Sequence, residues 1–322
     1  MSNLTNVKKM LIIRLSSLGD ILLTSPLLRS VKARYPDIKI DYVVKKQYAD
    51  AIKYNPNIRK IFFYEDAEID ITENYDLIVD LQKNIRSKQI TKKIKAPIVS
   101  FRKMDIEKFL LVRFKINKLK FSSPIPVRYA QTIGDLSLDN KGLEIFIPDN
   151  IMSDFIEGNN IAIAPGSRHF TKMWPVEYYI YLGKILSANK FRVVILGGKT
   201  DSQVCGQIHK MVPNSLNLCN EDDLLKTVSH MKKCRAVICN DSGLMHAACA
   251  ARTPVLAFFG STVKEFGFAP YNAKNLILEN NSLSCRPCSH IGRDHCPKKH
   301  FKCMKEITPY MAFSHLNQLL NS

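Results

Sequence analysis

Only one of the 322 residues is tryptophan and only thirteen are glycine. No apolar run approaches the roughly 20 residues that cross a bilayer, so no segment reads as a transmembrane helix. The apolar stretch Met10–Ile13 is too short for the core of a signal peptide and runs straight into Arg14. The chain is therefore expected to stay in the cytoplasm. No Gly-x-Gly-x-x-Gly follows a strand pattern, which removes the fingerprint of a nicotinamide dehydrogenase. No convincing Asp-x-Asp pair follows a strand either, so no catalytic divalent ion is expected. The nine cysteines are odd in number and unevenly spread, which argues against a disulfide framework. Cys239 and Cys249 lie in apolar surroundings, where a free thiol packs as a small hydrophobe.

Acids are also scarce, 29 against 47 lysines and arginines, a net charge of +18. The excess is concentrated. Between Lys83 and Arg128 stand fourteen lysines and arginines against Asp105 and Glu107, a net of +12. Such a stretch is either a solvated basic face or a surface for a polyanion: a phosphorylated glycolipid, an anionic membrane or a nucleic acid.

With 46% hydrophobic residues, the chain has material for two domains of about 150 residues. Short apolar runs at Met10–Leu15, Ile38–Val44, Ile58–Phe63, Asp76–Leu81 and Pro97–Phe101 alternate with helical patterns at Ile21–Arg34, near Tyr48–Lys53 and in a basic segment. The same rhythm restarts at Ile161–Ala164 and continues through Arg192–Leu196, Ala236–Cys239 and Pro254–Phe259. Alternation of this kind predicts an α/β protein with parallel sheets. The expected organisation is a first domain over 1–150, a second over 151–305 that includes a cysteine-rich segment, and a terminal helix over 306–322. The segment Lys103–Pro126 fits an amphipathic helix or a loop.

Three loops follow strands and open helices, the position at which ligands bind in open α/β sheets. In Arg14-Leu15-Ser16-Ser17-Leu18-Gly19-Asp20, the aspartate serves either as a helix cap or as a functional carboxylate. Ala164-Pro165-Gly166-Ser167-Arg168 leads to Lys172-Met173-Trp174-Pro175. A diphosphate there would meet a cation and helix amides, whereas the plain alternative is a solvated basic loop. In Asn240-Asp241-Ser242-Gly243-Leu244-Met245-His246, free amides and the helix dipole make an anion site, with His246 one turn inside.

Taken together, RLSSLGD with ILLTSPLLRSVKARYP, YDLIVDLQ, APGSR…KMWP and NDSGLMHAACA…PVLAFFGST resemble glycosyltransferase family 9, the lipopolysaccharide heptosyltransferases. The resemblance runs in order from about Lys9 to Thr262. It implies a GT-B architecture of two Rossmann-like domains facing a cleft, with the final helix packing back on the first. It implies an ADP-L-glycero-β-D-manno-heptose donor on the second domain, with Ser167, Arg168, Lys172, Asp201, Asp241, Ser242, Gly243 and His246 around it. It implies Asp20 as general base toward a sugar hydroxyl on the first domain, with inversion at the anomeric carbon. The acceptor would be an anionic lipopolysaccharide core precursor, met by Arg102, Lys103 and Arg128, at the inner face of the cytoplasmic membrane.

Cys285, Cys288, Cys296 and Cys303 fall within nineteen residues, a spacing suited to a structural all-thiolate site for zinc or iron. A similar cluster occurs in some relatives, including enzymes that heptosylate proteins, so a protein acceptor stays open. A basic nucleic-acid-binding protein with a metal knuckle would explain the charge and the cysteines. It would leave the two nucleotide-type domains without a purpose, so no nucleic-acid partner is expected.

Overall fold

The computed structural model describes residues 4–65, 69, 71–220 and 222–322. The first half runs β1 (Lys9–Ile13), α1 (Leu18–Leu22), α2 (Ser25–Arg34), β2 (Lys39–Val44), β3 (Lys60–Phe63), β4 (Leu77–Asp80), α3 (Ile85–Lys92), β5 (Ile98–Ser100), α4 (Asp105–Phe114) and α5 (Ile125–Gln131). The second runs β6 (Asn160–Ala164), α6 (Val176–Ala188), β7 (Arg192–Ile195), α7 (Ser202–Met211), β8 (Leu216–Asn217), α8 (Leu224–Met231), β9 (Ala236–Asn240), α9 (Gly243–Ala250), β10 (Val255–Phe259), β11 (Asn275–Glu279), α10 (Lys302–Lys305) and α11 (Pro309–Asn321).

Two parallel sheets result, in the order β3-β2-β1-β4-β5 and β11-β10-β9-β6-β7-β8. Their central strands are apolar on both faces, as strands covered by helices on each side must be. Within each sheet the chain leaves the first strand in one direction and later returns on its other side. The crevices at these reversals lie between β1 and β4, and between β6 and β9.

The single helix expected over Ile21–Arg34 is two. Pro26 has no N–H to give the Leu22 carbonyl, and Ser25 Oγ donates to that oxygen instead at 2.7 Å. The helix expected near Tyr48–Lys53 is a 3-10 turn over Lys46–Ala51. Strands β8 and β11 were not foreseen; β8 has two residues, too few to show a period.

The division of the chain also departs from a simple cut at residue 150. One unit comprises Met1–Lys103 and Ser123–Pro148, and the other Met104–Ser122 and Asp149–Ser322. The cause is packing: Leu111 and Leu119 bury against Val263 and Phe266. Lys115 Nζ donates to the Pro287 and Cys285 carbonyls at 2.7 and 3.2 Å. Five of the fourteen cations between Lys83 and Arg128, and both acids, therefore belong to the second unit. Ala312, Leu316 and Leu319 of α11 are buried in the second unit's own core beside Tyr179, Leu182 and Leu278.

At the N-terminal end of the first sheet, Asp41 is fully buried and accepts from Tyr75 Oη at 2.7 Å and Arg59 Nε at 2.9 Å. Glu73 pairs with Lys9, with Arg59 Nη2 at 2.6 Å and with Lys60 at 3.2 Å. Hydrogen bonds from Lys9, Arg59 and Lys60 pull its carboxyl down to about 2. A carboxyl depressed on folding stabilises above its unfolded value and loses that contribution as pH falls toward the folded one. Glu73→Gln is therefore expected to lower the melting temperature at neutral pH. The difference from the parent should close between about pH 4.5 and pH 2. A difference that persisted unchanged at pH 2 would assign the stabilisation to other groups.

Candidate functional site

The loop after β1 is held by the strand beside it. Gln82, just past β4, accepts at Oε1 from the backbone N–H of Leu15 at 2.9 Å and of Ser16 at 3.3 Å. Asp80 fixes the turn that carries Gln82, accepting from the N–H groups of Gln82 and Lys83 and from Ser87 Oγ. The loop then opens α1 at the β1–β4 crevice, with Asp20 in its first turn.

Both oxygens of Asp20 are engaged. Oδ2 accepts from the Ser17 N–H at 3.0 Å and Ser17 Oγ at 2.7 Å, and Oδ1 pairs with Arg14 Nη2 at 2.6 Å. Burial pushes the carboxyl up more than any other single effect. The Arg14 charge and the Ser17 hydrogen bonds together outweigh it, leaving Asp20 below the usual carboxylate range. Arg14 is itself buried, donates to the Leu81 carbonyl at 2.6 Å and lies over the Tyr129 ring. Ser17 is the N-cap and Asp20, the third residue of the helix, closes a capping box onto it. Asp20 thus serves the helix start and is also an oriented carboxylate held below the usual range just past a strand end.

In the second unit the loops after β6, β9 and β10 form another polar cluster. Lys172, in a 3-10 turn over Phe170–Lys172, reaches Asp241 Oδ2 at 2.8 Å, and Thr262 Oγ1 donates to the same oxygen at 2.6 Å. Asn240 joins two of the loops: its Nδ2 donates to the Pro165 carbonyl at 2.7 Å, and its Oδ1 accepts from the Trp174 N–H at 3.0 Å. Ser242 caps α9, and its Oγ is buried with no hydrogen-bond partner among the described residues, as is Ser261 Oγ nearby in sequence to Thr262. Gly243 begins the helix, and His246, buried, stands one turn in. Trp174 packs rather than lines a site, stacking on Phe258 at 4.3 Å with its Nε1 donating to the Ile307 carbonyl.

Asp201 lies on the β7 side of this cluster. Burial raises its carboxyl most, Asp222 adds to the rise, and the Gly198 N–H opposes it. A Cβ on Gly166 would fall 2.1 Å from Asp201 Oδ1, so the carboxylate rests against the Gly166 backbone and any side chain there would displace it. Ser167 and Arg168 continue that loop, Ser167 half-buried and Arg168 exposed.

Among the remaining expected contacts, Arg102 is exposed and Lys103 half-buried, but Arg128 is not a surface cation. It is buried, donates to the Arg102 carbonyl at 2.7 Å and lies over Phe101 at 5.0 Å, so its guanidinium organises the end of β5.

The cysteine-rich segment is rearranged relative to expectation. Among the described residues, no three His, Cys, Asp or Glu side chains stand where they could hold a metal ion. Cys303 is buried in the second unit's core, which pushes its thiol up to about 12, and Cys288 is raised by burial as well. Cys285 instead lies 3.8 Å from His300 Nε2. Cys285, Cys288 and Cys296 are near enough for Cys303 to feel their charges, although as placed the four thiols do not converge on one point. Arg286, inside the cysteine-rich segment, is buried. It donates to the Gly260 carbonyl at 2.6 Å and the Thr262 carbonyl at 2.9 Å, and pairs with Glu279 at 2.9 Å. It thereby fixes the turn that presents Thr262.

Sequence reading missed Asn240, Thr262 and Arg286 as site-forming residues. Asn240 had a visible signal, since it ends the strand that runs into the Asp241–Ser242–Gly243 turn, whereas Thr262 stands three residues past β10 with no local mark.

The family model described as glycosyltransferase family 9 (heptosyltransferase) matches residues 70–299. Lipooligosaccharide heptosyltransferase 2 of Haemophilus influenzae is 24% identical over 352 aligned residues, covering 96% of this chain and 99% of that protein. The crystal structure of the family 9 glycosyl transferase from Veillonella parvula DSM 2008 superposes with a TM-score of 0.77 at 22% identity, covering 97% of each chain. The structure of E. coli ADP-heptose lps heptosyltransferase II gives 0.72 at 20% identity, covering 97% of this chain and 98% of that one. The fold is GT-B, with two parallel-sheet α/β units.

Proposed function

Because the chain belongs to glycosyltransferase family 9, the heptosyltransferases, we propose that it moves heptose from ADP-L-glycero-β-D-manno-heptose to a lipopolysaccharide core acceptor. The observation that carries this reading is the meeting of Lys172, Asp241 and Thr262 beside the N-terminus of α9, at the second sheet's crevice. A lysine and free helix amides are what a departing nucleoside diphosphate requires. Ser242 Oγ, buried and unpartnered, supplies a further donor there. Asp201 is assigned to the ribose, and Ser167, Arg168 and His246 to the rest of the nucleotide.

A sugar hydroxyl is a poor nucleophile until a carboxylate takes its proton as attack proceeds. Asp20, ionised and oriented by Arg14 and Ser17, is assigned that role. Attack on the face opposite ADP inverts the anomeric carbon. The lysine and the amides supply the charge stabilisation for which other transferases use a divalent ion, so the reaction is proposed to run without one. Arg102 and Lys103 are assigned to anionic groups of the acceptor. The enzyme is proposed to work in the cytoplasm, peripheral at the inner membrane. No helix among the described residues is long and apolar enough to cross a membrane.

Calorimetric titration with ADP, ADP-heptose and UDP-glucose tests the donor. Selective binding of the two ADP compounds without divalent ion is expected. Lys172→Ala is expected to weaken ADP binding about 10–100-fold, the value of one charge-assisted contact. Equal affinity of the variant would place the diphosphate elsewhere, and preference for UDP-glucose would overturn the donor.

A further inference from the structure

Helix α4 carries apolar residues on two faces. Its inward residue Leu111 is anchored on Phe266, yet its outward face is apolar as well. Ile106, Phe109 and Phe114 are 73%, 59% and 58% exposed, and Phe121, beyond the helix, is 91% exposed. At 100° per residue, Ile106, Phe109 and Arg113 fall within about 60° of one another, so one stripe carries two large apolar side chains and a cation. Soluble proteins expose single large hydrophobes freely, but several within sixteen residues mark a docking surface. The cations are interleaved with them. Arg113, Lys118 and Lys120 are exposed, and Lys120 Nζ lies over the Phe121 ring at 5.5 Å.

We propose that α4 and the turn to Phe121 form a membrane-docking element that sits in the headgroup layer of an anionic lipid surface. Aromatic and aliphatic side chains would enter the acyl boundary while the lysines stay at headgroup level, the arrangement of interfacial helices. Charge selects the occupant. A second copy of the chain would bring like-charged lysines together, whereas an anionic leaflet neutralises them. The element is held firmly enough to serve. Leu119 is buried, and Lys115 is tied to the Cys285 and Pro287 carbonyls, so the exposed residues project from a fixed base. The proposal deepens the membrane-side reading of the acceptor and rests on it. It is independent of which donor is used.

Flotation of the full chain with phosphatidylglycerol-containing vesicles, and with phosphatidylcholine vesicles, tests it. The parent is expected to float with the anionic vesicles and far less with the neutral ones. Phe109→Ser/Phe121→Ser and Lys118→Glu/Lys120→Glu should each reduce flotation about tenfold or more. Both variants alter exposed positions and should keep the parent's melting temperature and ADP affinity. A parent that stays in solution with anionic vesicles overturns the proposal, as does flotation unaffected by either variant. A concentration-dependent dimer abolished by Phe109→Ser/Phe121→Ser would overturn it in favour of self-association. Failure of the parent to bind ADP would instead strike the donor reading and leave the flotation result standing.

Discussion

Asp20→Asn is expected to reduce heptosyl transfer by about 10²–10⁴-fold, the usual contribution of a positioned general base. Asparagine keeps the size and one acceptor oxygen for Ser17 and Arg14 but cannot take a proton. ADP affinity should stay near that of the parent, because the residues assigned to the nucleotide belong to the second unit. The substitution removes the carboxylate that compensates Arg14, so a melting curve must accompany the assay. A folded variant with unchanged turnover would end the role of Asp20 as base. The same carboxylate sets the pH profile. Its depressed value keeps it ionised below the ordinary carboxylate range, so activity should persist there and fall only at lower pH. An acidic limb in kcat/KM at or above the ordinary carboxylate value would belong to another group.

The largest loss of stability is expected from Arg286→Ala. The guanidinium is buried, and its five donors serve the carbonyls of Phe259, Gly260, Thr262 and Asn280, the Asn281 side chain and the Glu279 carboxylate. Removing it leaves several buried carbonyls without a donor and the Glu279 carboxylate with only the longer contact to exposed Lys264 at 3.8 Å, at a cost of about 3–5 kcal/mol. For a unit of this size that corresponds to a fall in melting temperature of roughly 10 °C. Replacing both partners, Arg286→Met with Glu279→Leu, should recover part of the loss, since no charge is then left alone. A single variant that melts within about 2 °C of the parent would show that water satisfies the stranded groups.

Most of the sheet pattern was legible because buried parallel strands are short apolar runs bounded by glycine and polar turns, and these recur throughout the chain. The loops at their ends were legible for the same reason: Asp20, Lys172 and Asp241 all follow an apolar run into a helix. What periodicity could not show was partnership between distant segments. Leu111 and Leu119 look the same in sequence whichever unit they bury against, so the assignment of Met104–Ser122 was missed. Arg128 reads as a surface cation and Arg286 goes unmarked, because nothing local records the carbonyls that surround them. The cysteine spacing suited a metal, but the burial of Cys303 depends on its contacts in the second unit's core.

The assignment of Met104–Ser122 means that the polypeptide passes from one unit to the other at Lys103, at Ser122 and again at Pro148. The enzyme therefore cannot be divided into independently produced halves at a single peptide bond. Cleavage at Pro148 would leave the N-terminal fragment carrying Leu111 and Leu119 with nothing to cover them. The C-terminal fragment would expose Val263 and Phe266. Complementation of two such fragments would depend on the excised segment finding its place, as a missing piece of core does. Fragments that keep residues 104–122 joined to the second half by a circularly permuted chain should be the more soluble pair.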